Sequence, residues 1–440
     1  MTVSSRHLDE MEATKPSAFA EASSAGPDMR RLMIATFCGQ VSEWYDYGVY
    51  ALVAAQIGTH FFPSAHGDQS LLAALAVFGV AFLARPLGGG VMGVLGDRMG
   101  RKAVLVISLA LMTMSTAAIG CLPGSEVLGM LAPLLLVGAR FVQGISAAGE
   151  STAAITFVAE SAPAHSKGLF TATLMSGNSA GFLLATACVW LTREILGDAA
   201  FDAWGWRCVF LFALPLGCVG LFIRKGLKES AAFTRLHGER TLSTTPLRDT
   251  FTSGMIELLQ AIGISALSFI ANYLLVAYLP IHLAAQGFSP RAISSIGVAA
   301  TLTLMLSYPL MGALSDRVGR RPMMLSACAF FIILGWPLFT MINGASSASA
   351  FLCAISYAVA TAAFISCLGL YCTEYIDKSR LMTTYSLGFN LSAAIFGGSS
   401  LWVFGMLSRL SGNPATPAIY LGATAMLTMI SILSVRKRQQ

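Results

Sequence analysis

Charge is what this sequence has least of. Asp, Glu, Lys and Arg make up 11% of its 440 residues, against 55% hydrophobic residues. A soluble domain carries about 25% charged residues. So few charges cannot cover a water-facing surface, so lipid has to cover much of it. Sites for chemistry are also missing. The chain has no metal-ligand cluster, no Walker loop and no Ser/His/Asp arrangement, and its six histidines are scattered, mostly in loops and tails. Those absences exclude a nucleotide-driven machine and argue against a membrane enzyme or sensor. No cofactor and no metal are expected. The nine cysteines form no CxxC pair and lie mostly inside apolar runs, as small packing residues do. The first 29 residues lack an apolar h-region, so they read as a cytoplasmic tail and not as a secretory signal.

What is abundant is apolar sequence in runs near the length of a membrane span, about 20 residues. Twelve such runs are read, at roughly 31–57, 71–95, 103–122, 128–158, 168–191, 207–223, 255–279, 292–314, 322–342, 348–374, 381–407 and 417–434. The expected organisation is a tail at 1–30, a six-helix bundle at 31–223, a linker at 224–254, a second six-helix bundle at 255–434 and a tail at 435–440. Lys and Arg test this map, because they gather on the cytoplasmic side. With both termini cytoplasmic, 22 of the 28 fall inside, four fall outside, and Arg85 and Arg140 lie within spans. The net charge of +6 therefore reports topology, and no nucleic-acid partner is expected.

The two bundles share a repeat. GVLGDRMGRK at 93–102 recurs as GALSDRVGRR at 312–321, an offset of 219 residues, each time between the second and third span of its half. This loop resembles the signature loop of the major facilitator superfamily. SEWYDYGVYALVAAQIGTHFFP, FLARPLGGGVMGVLGDRMGRK, RFVQGISAAGE and WGWRCVFLFALPLG narrow the resemblance to its metabolite:proton symporter family. Members of that family carry proline and glycine betaine, 2-oxoglutarate, citrate or shikimate. The resemblance implies an all-α membrane protein of twelve transmembrane helices in two pseudo-symmetric six-helix halves. It further implies a monomer of the inner membrane that works by alternating access. Its partners would be a small molecule, protons and the lipid bilayer. Three features depart from the family pattern. Ala147 and Ala148 stand where two adjacent glycines are usual before Glu150. His165-Ser166-Lys167 replaces a paired basic run. The chain also runs out at RKRQQ, so the expectation is a carrier without the tail-linked osmotic activation of one family member.

Glu43 and Asp46 sit midway along the first span. Three residues apart, they lie about 60° round a helix from each other. Acids at this depth cost a few kcal/mol and need a cavity or a partner. Desolvation and a neighbouring like charge favour the neutral carboxyl, which suits a group that takes up and releases a proton. The two acids are not ranked. The plainer alternative is that they only tie helices together. Arg140, near the middle of the fourth span, has these acids as its obvious partner, and a guanidinium also clamps a substrate carboxylate. Gln143 lies one turn away. Glu150 is about 80° round and about 15 Å along, in the place of a second relay. The second half has no mid-span charge. Asn272 and Asn390 are the better candidates to line a cavity there, ahead of Tyr273, Tyr278, Tyr308, Tyr357 and Tyr371.

The signature loops read as a conformational latch. Gly93, Gly100, Gly312 and Gly319 allow tight turns and close helix contact. Asp97 and Asp316 accept from helix N-termini or from a nearby arginine. Arg85, Arg101 and Arg320 are the cations of this cluster, and Glu160 and Glu374 close the fourth and tenth spans beside it. The expected function is secondary transport, by proton symport, of a small organic acid or zwitterion. Export on the same fold is the alternative, because gradients set direction.

Overall fold

The computed structural model describes residues 27–63, 67–239, 241–342 and 346–435. Most of the tail read at 1–30, and all but the first residue of the one at 435–440, lie outside them. Among the described residues the chain is helical and has no strand.

Twelve helical passages follow one another. The first is α1 (Pro27–Leu52), continued by Ala54–Phe61. Then come α2 (Gly67–Met99), α3 (Arg101–Cys121), α4 (Leu131–Ser161) and α5 (Lys167–Leu196). A sixth passage enters through Trp206–Leu211 and ends as α6 (Ala213–Lys225). The seventh is α7 (Met255–Tyr273), carried through a π-helical turn at Leu274–Tyr278 into Leu279–Ala285. After it come α8 (Pro290–Val318), α9 (Arg320–Ile333), with its short continuation Gly335–Thr340, and α10 (Ser347–Tyr375). The eleventh is α11 (Leu381–Ser392), which passes through a second π-helical turn, Ala393–Gly397, into Ser400–Ser411. The last is α12 (Pro417–Ser434).

Ten of these passages are long and apolar enough to cross a membrane by length and composition alone. The first and ninth are not among them, although both are read as spans from the sequence. In α1 the polar Gln40, Glu43 and Asp46 dilute the apolar run. The ninth is broken at Leu334 into helices of 14 and 6 residues.

Glycines set the tightest features. Gly100 and Gly319 occupy equivalent places in the repeat, with φ of 94° and 99°. A side chain there would meet its own backbone, so each glycine lets one long helix turn straight into the next. Gly93 brings α2 against α11, where an added Cβ would stand 2.6 Å from Thr383 Cα. Gly312 does the same for α8 against α5, with a Cβ 2.4 Å from the Gly168 carbonyl. The stretch expected as a polar linker forms two short helices, Ala231–Gly238 and Pro246–Phe251, laid across the end of the molecule that carries the signature loops.

Candidate functional site

A cavity of about 1090 Å³, its mouth included, lies among α1, α2, α4 and α5 on one side and α7, α8, α10 and α11 on the other. Among the described residues its lining has two charged ones, Glu43 and Arg85. They face each other with Glu43 Oε1 3.6 Å from Arg85 Nη2. Ser151 donates to Glu43 Oε2 at 2.7 Å. Arg85 Nε donates to Asn390 Oδ1 at 3.0 Å, and the Asn390 amide donates in turn to the Ala148 carbonyl at 3.0 Å. The remaining wall is rich in rings, including Trp44, Phe182, Phe269, Tyr273, Tyr385 and Phe389.

This corrects the placement of Arg85. The sequence reading puts it in the latch because it precedes Asp97 by twelve residues. Twelve residues of helix span about 18 Å, and that rise lifts Arg85 out of the signature loop and into the cavity. The two asparagines also separate. Asn272 lines the cavity, as do Tyr273 and Tyr308. Asn390 does not; it is fully buried and holds Arg85 from behind. Tyr278, Tyr357 and Tyr371 are not cavity residues. Their hydroxyls bond within the second half.

Asp46 and Arg140 form a second pair, 3.5 Å apart and buried. Asp46 Oδ1 accepts from Thr116 at 2.7 Å and from the Gln143 amide at 2.6 Å. The Gln143 carbonyl accepts from Arg140 at 2.7 Å, so Gln143 clips the pair together. Three rings complete the cage. Tyr50, Phe78 and Tyr47 have centroids 4.1, 5.1 and 5.7 Å from the Arg140 guanidinium. None of Asp46, Arg140 and Gln143 lines the cavity. The two acids of α1 thus diverge. Glu43 pairs with α2 at the cavity, and Asp46 pairs with α4 behind it. Direct competition of a substrate for Arg140, expected from the sequence, is not what this arrangement offers.

Glu150 is not at the cavity either. It is closed in a pair with Arg224, whose Nη1 donates to Oε2 at 2.9 Å and whose Nη2 donates to Oε1. Ser108 adds a bond at 2.6 Å. The sequence places Arg224 in the linker, yet it is the penultimate residue of α6 and is fully buried. The packing is so close that a Cβ on Gly39 would fall 2.0 Å from Glu150 Oε1. A buried ion pair of this kind ties α1, α3, α4 and α6 together.

Each signature-loop aspartate reaches across to the other half. Asp97 accepts from the backbone N–H groups of Met382 and Thr383 at 3.0 and 2.8 Å, and from the Thr383 hydroxyl at 2.7 Å. Asp316 accepts from the N–H groups of Gly168 and Leu169 at 2.8 and 2.9 Å. Each aspartate therefore sits at the N-terminus of a helix of the other half, α11 or α5, where orphan donors and the helix dipole favour an anion. Arg101 bonds Glu160 at 2.7 Å. Arg320 meets Asp316 at 2.9 Å and Glu374 at 3.4 Å. The linker adds residues that the sequence reading missed. Glu229 accepts from the N–H groups of Arg101 and Lys102, both at 3.1 Å, and Ser230 donates to Glu160 at 2.5 Å. Only its position just after a span, near a helix start, hinted at Glu229.

Residues 32–397 and 261–438 match the family model of the Major Facilitator Superfamily. The chain belongs to the major facilitator superfamily. Its relatives in sequence include transporters of proline and glycine betaine. It is 35% identical to the glycine betaine/proline/ectoine/pipecolic acid transporter OusA of Dickeya dadantii, over 93% of this chain and 83% of that one. It is 34% identical to the proline/betaine transporter of Escherichia coli K12, over 93% and 84%. The proton:xylose symporter XylE, solved with 6-bromo-6-deoxy-D-glucose bound, shares the fold with a TM-score of 0.76, at 17% identity, over 92% of this chain and 94% of that one. This major facilitator is a multi-pass membrane transporter and not an enzyme.

Proposed function

We propose that the protein moves a small zwitterion, of the ammonium-carboxylate kind that its relatives carry, together with a proton across the cytoplasmic membrane. One observation carries the reading. A single buried guanidinium, Arg85, faces a single carboxylate, Glu43, in a cavity whose uncharged wall is rich in rings. A guanidinium matches a substrate carboxylate in two-pronged geometry. Aromatic faces hold a substituted ammonium by cation–π attraction. When a substrate carboxylate takes Arg85, Glu43 is left charged without its cation. A buried unpaired charge costs on the order of several kcal/mol, and a proton on Glu43 removes that cost. Substrate and proton then bind together because one arginine cannot neutralise two carboxylates.

In this reading the halves are 31–223 and 255–434, both termini are cytoplasmic, and the protein acts as a monomer. The end with the engaged latches is the cytoplasmic one, so the cytoplasmic route is shut. Rocking of the halves breaks the latches and exposes the cavity to the cytoplasm. The test is uptake into proteoliposomes under an inward-acid gradient, with labelled proline, glycine betaine, 2-oxoglutarate and citrate. Accumulation of a zwitterion that collapses with a protonophore supports the reading. Accumulation of 2-oxoglutarate or citrate instead overturns the substrate class, and accumulation indifferent to the gradient overturns the coupling.

A further inference from the structure

Tyr47 touches both of the ion pairs that the first half keeps apart. It follows Asp46 on α1 and lies one helical turn from Glu43. Its hydroxyl accepts from Arg85 Nη1 at 3.5 Å. Its ring stands 6.0 Å from the Arg85 guanidinium and 5.7 Å from that of Arg140. The ring is only 6% exposed, and Trp44, Phe78 and Phe82 hold it at centroid distances of 6.1, 6.0 and 5.7 Å. The charged and titratable groups around it are Glu43 and Asp46 on its own helix, Arg85 on α2 and Arg140 on α4. Tyr273 of α7 adjoins Arg85, and Glu150 of α4 lies in range of Glu43.

Arg140 is held in an unusual way. Its contact with Asp46 is long, at 3.5 Å, and its Nε and Nη2 are buried without an acceptor. Beyond the bond of its Nη1 to Gln143 at 2.7 Å, rings therefore hold this guanidinium as much as the carboxylate does. A shift of Tyr47 changes the seat of Arg140, and the hydroxyl that reports such a shift is bonded to Arg85. We propose that Tyr47 is a positioning residue that couples the two pairs, so that a carboxylate drawing Arg85 into the cavity changes the hold of Arg140 on Asp46. Asp46 then responds to substrate without touching it. This rests on the reading of Arg85 as the seat of a substrate carboxylate.

The test uses the purified full chain and equilibrium binding of labelled proline and glycine betaine at pH 6 and pH 8. Linkage is reciprocal, so a proton site governed by substrate makes substrate affinity depend on pH. The wild type is expected to change affinity by about tenfold between the two values, within the usual range of coupling. Tyr47→Phe keeps the ring and deletes the hydroxyl. It is expected to cut that ratio by about threefold or more while binding stays saturable. Asp46→Asn is expected to cut it by a similar factor, and the double variant no further, because residues acting through one another are not additive. A wild-type ratio retained in Tyr47→Phe overturns the coupling. So does a double variant that falls by the product of the two factors, or a Tyr47→Phe protein that binds nothing at either pH. A wild type that binds without pH dependence overturns it as well. A wild type that binds neither ligand overturns the cavity reading, and the coupling with it.

Discussion

At the scale of single residues, Glu43, Asp46 and Arg140 are legible in the sequence because charge in an apolar run is costly and therefore conspicuous. Their partners are not. A sequence shows distance along the chain, whereas pairing depends on which helix lies opposite and at what height. Glu43 and Asp46 look like one pair of acids, yet they point to Arg85 and Arg140 on different helices. Two predictions belong here. Arg85→Lys keeps the charge but loses the fork that reaches Glu43 and Asn390 together. Its KM for substrate is expected to rise about tenfold or more, since losing one charged hydrogen bond is worth about 1.5–3 kcal/mol. Uptake kinetics in proteoliposomes will show it. Glu43→Gln is expected to retain substrate exchange across the vesicle membrane while losing proton-driven accumulation. Equal loss of both would mean that Glu43 only builds the site.

At the scale of helices, the repeated signature loop announces both latches, because the acid, the glycine and the arginines recur in the same order. The donors to those acids on α11 and α5 are invisible in sequence, since they are plain backbone N–H groups. The linker's role is hidden for a similar reason, as Glu229 reads as one more loop charge. Asp97→Asn removes the anion from the start of α11 but leaves a side chain of the same shape. An anion at a helix N-terminus is worth about 0.3–2 kcal/mol, so the open state is expected to gain up to about thirtyfold in population. Labelling of a cysteine placed at the Asp97 end of α11, in a background free of native thiols, will report that gain. Gly312→Ala pushes the same way, through packing. Its Cβ would stand 2.4 Å from a backbone carbonyl, so α8 and α5 cannot close, and the variant is expected to show the same labelling pattern with a lowered melting temperature.

At the scale of the whole molecule, the twelve passages were legible from apolar runs and the placement of Lys and Arg. The boundaries blur where helices break, as at Leu334, and where a span ends in charge, as at Arg224. One tie runs between the halves at the level of the cavity itself, from Arg85 through Asn390 to α11. Asn390→Asp would replace a neutral acceptor with a second carboxylate on the same arginine. The halves would then be held more tightly, and kcat for transport is expected to fall about tenfold with a smaller change in KM. A fall in KM alone would show that Asn390 serves binding and not rocking.

The latches come as a pair on opposite sides of the same cleft. A fluctuation that frees Asp97 leaves Asp316 still seated on α5, and the reverse holds equally. Parting the halves on that side requires both to let go at once, so the chance of an empty carrier gaping open is close to the product of two small probabilities. On the proposed function, a cell that keeps a proton gradient across this membrane is thereby spared a leak current through every idle copy of the protein.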